Sequence, residues 1–136
     1  MSNVIKWILL LLLAAFFLTA GFLKVIDPVE FMRAILRYQL FPPTLAWIAA
    51  LWVPWMEIAA ALGLLLRSWR QASAALIILM LIGFEMLLGS AAYRGLDIDC
   101  GCLGSGAGLS VQLALLRNLG LLLVAIIIVI LERSRK

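Results

Sequence analysis

Histidine is absent from this chain, cysteine occurs only twice, and charged residues make up 13% of its 136 positions. Each scarcity removes a class of chemistry. Without histidine there is no histidine-ligated haem, and two thiols are too few for a one-chain Cys₄ iron–sulfur cluster. A zinc site wants four ligands, usually cysteine or histidine, so only an intermolecular site could be completed. No metal is therefore expected. The net charge of +4 is modest, and most basic residues flank apolar runs rather than forming a patch with exposed aromatics, so no nucleic-acid partner is expected. No internal repeat or low-complexity linker interrupts the sequence, and its length suits one domain over residues 1–136.

What the chain has instead is hydrocarbon. Hydrophobic residues account for 66% of it, against roughly half in soluble domains. Four runs, 4–26, 44–66, 72–93 and 109–131, each meet the requirement of about 20 mainly apolar residues for a bilayer-crossing helix. Runs this long and continuous exclude a transmembrane barrel, whose strands alternate over about ten residues. The first run exceeds the usual apolar core of a signal peptide, and no Ala-x-Ala site follows it, so it is expected to be retained as a helix. The expected fold is all-α: a polytopic bundle of four transmembrane helices, with the lipid bilayer as its first partner. Its oligomeric state is not readable from the sequence.

Four spans put both termini on one side. That side carries Lys6, Arg67, Arg70, Arg133, Arg135 and Lys136 against Glu132. The other side mixes Arg33, Arg37 and Arg94 with Asp27, Glu30, Asp97 and Asp99. Because Lys and Arg concentrate in cytoplasmic loops, the termini are expected in the cytoplasm. The segment 94–108 is then expected on the outer face of a bacterial inner membrane, in the periplasm or cell exterior.

Both cysteines lie in that outer segment, as Asp97-Ile98-Asp99-Cys100-Gly101-Cys102, where the compartment lets disulfides persist. A Cys-x-Cys bridge closes so small a ring that its loop-closure effect on stability is slight. Exposed or strained bridges are the more labile and oxidising ones. A redox pair, Cys100 and Cys102, is thus favoured over a structural staple. Asp99 should disfavour the thiolate, whereas Arg94 would favour it if the loop folds back. A membrane relay from an outer pair to an inner one needs four cysteines, so this pair must exchange directly with a partner's thiols or with a bound small oxidant. Thiol exchange itself requires no cofactor. A quinone is the one open candidate: the aromatic cluster of Trp52 and Trp55 around Pro54 is expected to serve core packing, with a quinone ring pocket there, beside Glu57, as the alternative.

The first outer connection reads as a short interfacial helix from Pro28 to about Leu40: Asp27 as N-cap, Pro28 at the first position, Glu30 three residues after the cap, and Pro42-Pro43 as terminator. It would lie on the outer leaflet or act as a lid over the cysteine loop. Four ionisable residues, Lys24, Glu57, Glu85 and Arg117, fall within or at the ends of the spans, where each is costly by roughly 2.5–3.5 kcal/mol on insertion scales. They are expected to converge as a supporting polar core in the outer half of the bundle. Glu85–Arg117 is the favoured pair, so that removing Glu85 would strand a charge. Small residues at Ala59 and Gly63, and at Gly89 and Ala92, are expected to allow close helix approach.

An ordered set of motifs resembles a known family. Ala20-Gly21-Phe22-Leu23-Lys24, Asp27-Pro28-x-x-Phe31, Ala34-Ile35-x-x-Tyr38-x-Leu40-x-Pro42 and Pro54-Trp55-x-Glu57 are followed by Arg94-Gly95-Leu96-Asp97-x-Asp99-Cys100-Gly101-Cys102-x-Gly104 and Arg117-Asn118. Over nearly its whole length the chain is similar to the MauE branch of the DoxX-like redox-associated membrane proteins. Leu103 departs from the family pattern, which more often has Phe there. The resemblance implies a four-helix membrane bundle and a redox role alongside a periplasmic thioredoxin-like partner. It also implies a link to methylamine utilisation, through maturation of the disulfide-rich small subunit of methylamine dehydrogenase. Two alternatives stay open: a quinone-linked membrane thiol oxidase and a non-redox assembly factor.

Overall fold

In a computed structural model, residues 3–95 and 111–134 are described. They form five helices and, among the described residues, no strand: α1 (Asn3–Ile26), α2 (Pro28–Arg37), α3 (Pro43–Leu65), α4 (Arg70–Tyr93) and α5 (Val111–Arg133). Cys100, Cys102, Asp97 and Asp99 lie outside the described residues.

Four of the helices, α1, α3, α4 and α5, are long and apolar enough to cross a membrane. Their outward faces remain apolar: Leu79 and Met86 on α4 and Leu116 on α5 are each about 70% exposed in the bare protein (70%, 71% and 67%). A water-soluble bundle would carry charge there. A lipid-facing one must not, because the hydrocarbon offers no partner to a polar group.

Packing runs in two antiparallel pairs, α1 against α3 and α4 against α5, joined by the α3–α4 hairpin. The main core gathers Leu10, Leu13 and Phe17 of α1, Ala60, Ala61 and Leu64 of α3, Ile77 and Leu81 of α4, and Ala125 and Ile128 of α5. Gly63 permits the hairpin to close, since a Cβ there would fall 1.9 Å from the Ser73 hydroxyl oxygen. Of the small residues expected at helix contacts, Gly63 makes one and Ala92 another, against the cluster of Leu88, Ala91 and Ala114. Ala59 is exposed, and a Cβ placed on Gly89 would meet nothing within 4 Å among the described residues.

The end of the bundle holding the N-terminus of α1, the α3–α4 turn and the C-terminus of α5 is tied by charge. Glu132 accepts from Lys6 and, at 2.9 Å, from Arg70, whose guanidinium also donates to the Leu64 carbonyl at 2.9 Å and lies 5.2 Å from the Trp7 ring centroid. Residues read from sequence as topological markers thus close the helix ring. Lys6 and Arg70 are each only 5% exposed.

The short helix begins as expected. The Asp27 carboxylate accepts from the Glu30 amide at 3.2 Å, and Pro28 occupies the first turn. Glu30 does not reach back to the cap. It pairs forward with Arg33 at 2.8 Å and Arg37 at 3.7 Å. The helix ends at Arg37 rather than about Leu40, because Gln39 takes a left-handed φ of 58° that no helix can continue through. Its inner face, Phe31, Ala34, Ile35 and Tyr38, is buried. Phe31 and Ile35 pack on Ala46 and Ala50 of α3, so α2 is seated on the bundle.

Candidate functional site

Gly21 sets the geometry of the α1–α3 contact. A Cβ at this position would lie 2.9 Å from the Pro54 carbonyl oxygen and 2.8 Å from the Ile58 side chain, so only glycine admits so close an approach. One turn further along the same face of α1 comes Lys24. One turn beyond Pro54 on α3 comes Glu57. The small residue and the charge are therefore one device: the first brings the helices together and the second is delivered to its partner. Lys24 Nζ donates to Glu57 Oε1 at 2.7 Å, with both side chains 1% exposed. Two aromatic rings wall the ammonium off, Phe31 of α2 at 4.7 Å and Phe84 of α4 at 5.2 Å from their centroids. Cation–π contact offsets part of the cost of dehydrating the ammonium. The second oxygen, Glu57 Oε2, is buried with no hydrogen-bond partner.

Lys24 and Glu57 thus meet, but the pair expected between Glu85 and Arg117 does not form. The Arg117 guanidinium donates to Oδ1 of its chain neighbour Asn118 at 3.3 and 3.4 Å and lies over the Phe16 ring of α1, 5.2 Å from its centroid. Glu85 shares the inward face of α4 with Leu81 and Leu88, and its Oε1 is buried without a partner. Asn118, 2% exposed, likewise has an unpartnered buried Nδ2. Two polar groups result where one network was expected: a closed ion pair between α1 and α3, and an open acceptor–donor set along α4 and α5. Register explains the difference. Charge complementarity could be counted along the sequence, but which way a guanidinium folds depends on the ring and amide beside it.

Arg94, the C-cap of α4, points toward α2, where its Nη2 donates to the Tyr38 carbonyl. The α2 C-terminus thereby gains a cation where its carbonyls lack helical partners.

Trp52 and Trp55, expected to pack in the core or else to line a ring pocket, are 67% and 61% exposed and face outward, so they do neither. Among the described residues, a cleft of about 540 Å³ lies between α3 and α4, bounded by Phe41, Val53, Met80, Phe84 and Leu87, with Ser90 as its polar lining residue. A second cleft of about 350 Å³ shares Phe41, Val53, Phe84 and Leu87 with it and reaches Phe31. No group of three or more metal-ligating side chains occurs among the described residues.

Sequence reasoning missed the Lys6–Glu132–Arg70 cluster, the aromatic walls around Lys24 and the place of Tyr38. A signal existed for the first, since Glu132 is an acid among basic residues at the end of an apolar run.

The family model for methylamine utilisation protein MauE matches residues 2–131. The chain belongs to the MauE family. It is 31% identical over 126 residues to the methylamine utilization protein MauE of Paracoccus denitrificans, covering 91% of this chain and 68% of that one. With the protein of the same name from Methylorubrum extorquens it shares 32% identity over 126 residues, or 91% of this chain and 66% of the relative. A third, from Methylophilus methylotrophus, is 32% identical over 74 residues, 54% of this chain and 39% of that one. The alignments thus span about two thirds of the length of the first two relatives. No solved structure matches the chain. With four apolar spans and MauE membership, this is a multi-pass membrane protein.

Proposed function

We propose that this MauE-family protein is a thiol–disulfide exchange protein of the bacterial inner membrane. Cys100 and Cys102 face the periplasm and trade electrons with a thioredoxin-fold partner, supporting disulfide formation in exported proteins. Methylamine utilisation, the process in the relatives' names, is the pathway we assign it to. The observation that carries the reading is positional. The chain's only two thiols fall in sequence between the C-terminus of α4 and the N-terminus of α5, and those two helix ends lie at the opposite end of the bundle from the Lys6–Glu132–Arg70 cluster. By the positive-inside rule that cluster, with Arg67 and Arg133 beside it in sequence, belongs to the cytoplasm. Lys24, Glu57, Glu85 and Arg117 are then the polar core supporting the outer half, and Arg94, Asp97 and Asp99 the charges flanking the thiols.

The exchange is balanced as dithiol plus partner disulfide giving disulfide plus partner dithiol, through a mixed disulfide. Two electrons and two protons move. The test is capture of that intermediate. Cys100→Ser and Cys102→Ser are each expressed in cells with a tagged periplasmic thioredoxin-fold protein lacking its resolving cysteine. A mixed disulfide formed through one cysteine and lost with the other supports the reading. Complexes from both variants alike, or from neither, refute it. Labelling by a membrane-impermeant thiol reagent only after mild reduction is expected on intact spheroplasts, and absence of labelling would overturn the orientation.

A quinone-linked thiol oxidase is the second reading, favoured by the α3–α4 cleft, whose lining is apolar and whose size suits a lipid-soluble ring. Oxidation of the reduced protein by ubiquinone, with no protein partner added, would establish that reading over the first.

A further inference from the structure

The C-terminus of α2 sits where the two ends of the cysteine-bearing segment come together. Tyr38 is 4% exposed and packs with Leu88 and Ala91 in the last turns of α4 and with Ala114 in the first turn of α5. Leu87, Ala92 and Leu115 complete this cluster. The thiols fall in sequence between the end of α4 and the start of α5, and Tyr38 packs in one cluster with both of those helix ends. Arg94 fastens Tyr38 from the α4 side by donating to its carbonyl.

Two further features show that this junction is held in place. Gln39, immediately after Tyr38, has a φ of 58°. A side-chain-bearing residue in the left-handed region costs about 1–2 kcal/mol, so the surrounding contacts must fix it. Gly95, immediately after Arg94, also has a left-handed φ, 71°, but as glycine bears it without strain. At its other end α2 is anchored by the Asp27 cap and by Phe31, whose ring lies against the Lys24 ammonium. One helix of ten residues, about 15 Å long, therefore runs from the buried ion pair to the roots of the segment that bears the thiols.

We infer that α2 is a strap that sets the separation of those two roots, with Tyr38 and Arg94 as positioning residues for the thiol pair. This rests on the exchange reading above for its consequence but not for its geometry. Neither residue takes part in the electron transfer. Their effect is on how the segment is presented to a macromolecule, which must meet it in one orientation, and not on a small reagent, which need not.

Two measurements test it on the full chain in nanodiscs. In a Cys100→Ser/Cys102→Ser background, spin labels are attached through Tyr93→Cys and Leu116→Cys, both exposed positions, and the distance distribution is read by electron–electron double resonance. Arg94→Gln and, independently, Tyr38→Ala are expected to broaden it. With the native cysteines present and reduced, Tyr38→Ala is expected to slow oxidation by oxidised DsbA by roughly tenfold or more, the scale on which misplaced reactive groups lose rate, while alkylation by iodoacetamide is unchanged. An unchanged distance distribution in both variants overturns the strap. A broadened distribution with unchanged DsbA rate overturns the positioning role. Equal slowing of DsbA and iodoacetamide also overturns it, since that marks a change in the thiols' own reactivity. Should the unsubstituted protein fail to react with DsbA, the exchange reading loses its support, while the distance measurement still decides the strap.

Discussion

Replacing Glu57 by glutamine would leave the Lys24 ammonium, 1% exposed and enclosed by Phe31 and Phe84, without a counter-charge. At the observed 2.7 Å, two unit charges attract by about 6 kcal/mol at an effective dielectric constant of about 20. Dehydrating each ion costs several kcal/mol, so the intact pair is close to balance, whereas breaking it costs about 3–5 kcal/mol. The cation–π contacts recover only about 1–2 kcal/mol of that for a desolvated ammonium. Glu57→Gln and Lys24→Met should therefore each lower stability by about 3–5 kcal/mol, and the double variant Lys24→Met/Glu57→Gln by much less than their sum, because it strands no charge. The assay is equilibrium unfolding by SDS in mixed micelles, followed by far-ultraviolet circular dichroism, as a double-mutant cycle. If either single variant costs under about 1 kcal/mol, or if the two losses simply add, the pair does not hold α1 to α3 in the way its geometry implies.

The same unfolding assay checks four further expectations. Glu85→Gln should change stability by under about 1 kcal/mol, since no ion pair is broken, in contrast to Glu57→Gln; a loss as large would mean that Glu85 has a charged partner after all. Gly21→Ala forces a Cβ against the Pro54 carbonyl and Ile58 and should cost about 1–3 kcal/mol by overpacking. Glu132→Gln leaves Lys6 and Arg70 sharing no carboxylate; a loss of about 2–3 kcal/mol is expected, below the full buried-pair figure because both chains can reach the interface. Gln39→Gly relieves the left-handed φ and should stabilise by about 0.5–1 kcal/mol, the strain removed less the added freedom of the unfolded glycine; destabilisation would indicate that the glutamine side chain itself secures the turn.

How much was legible in the sequence follows from what each feature depends on. Span number, the Asp27 cap and the α3–α4 hairpin depend on neighbours in the chain, and all stood in the composition and spacing. Four runs of about 20 apolar residues have one solution in lipid, because a backbone without water must satisfy itself as helix. Resemblance to the MauE family rested likewise on an ordered string of residues. The four intramembrane charges could be picked out singly, since each is expensive where it stands.

Pairing among those charges was beyond the sequence. With two acids and two bases, depth along the spans favoured Glu85–Arg117 as the pair within one network of four. Gly21 lets α1 reach α3 and brings Lys24 to Glu57, while the Arg117 guanidinium meets Asn118 and Phe16 instead of Glu85. Outward-facing Trp52 and Trp55 and the cleft beside Phe84 show the same limit: a helix rotated by its packing turns an aromatic cluster into a lipid-facing surface. The sequence determined that this protein is a membrane bundle with one thiol pair in one connecting segment, because hydrophobic length and residue identity are local. Tertiary structure alone decided which charges meet, and that Tyr38, the C-cap of α2, packs with the ends of α4 and α5 on either side of that segment, because both depend on helix rotation and close approach.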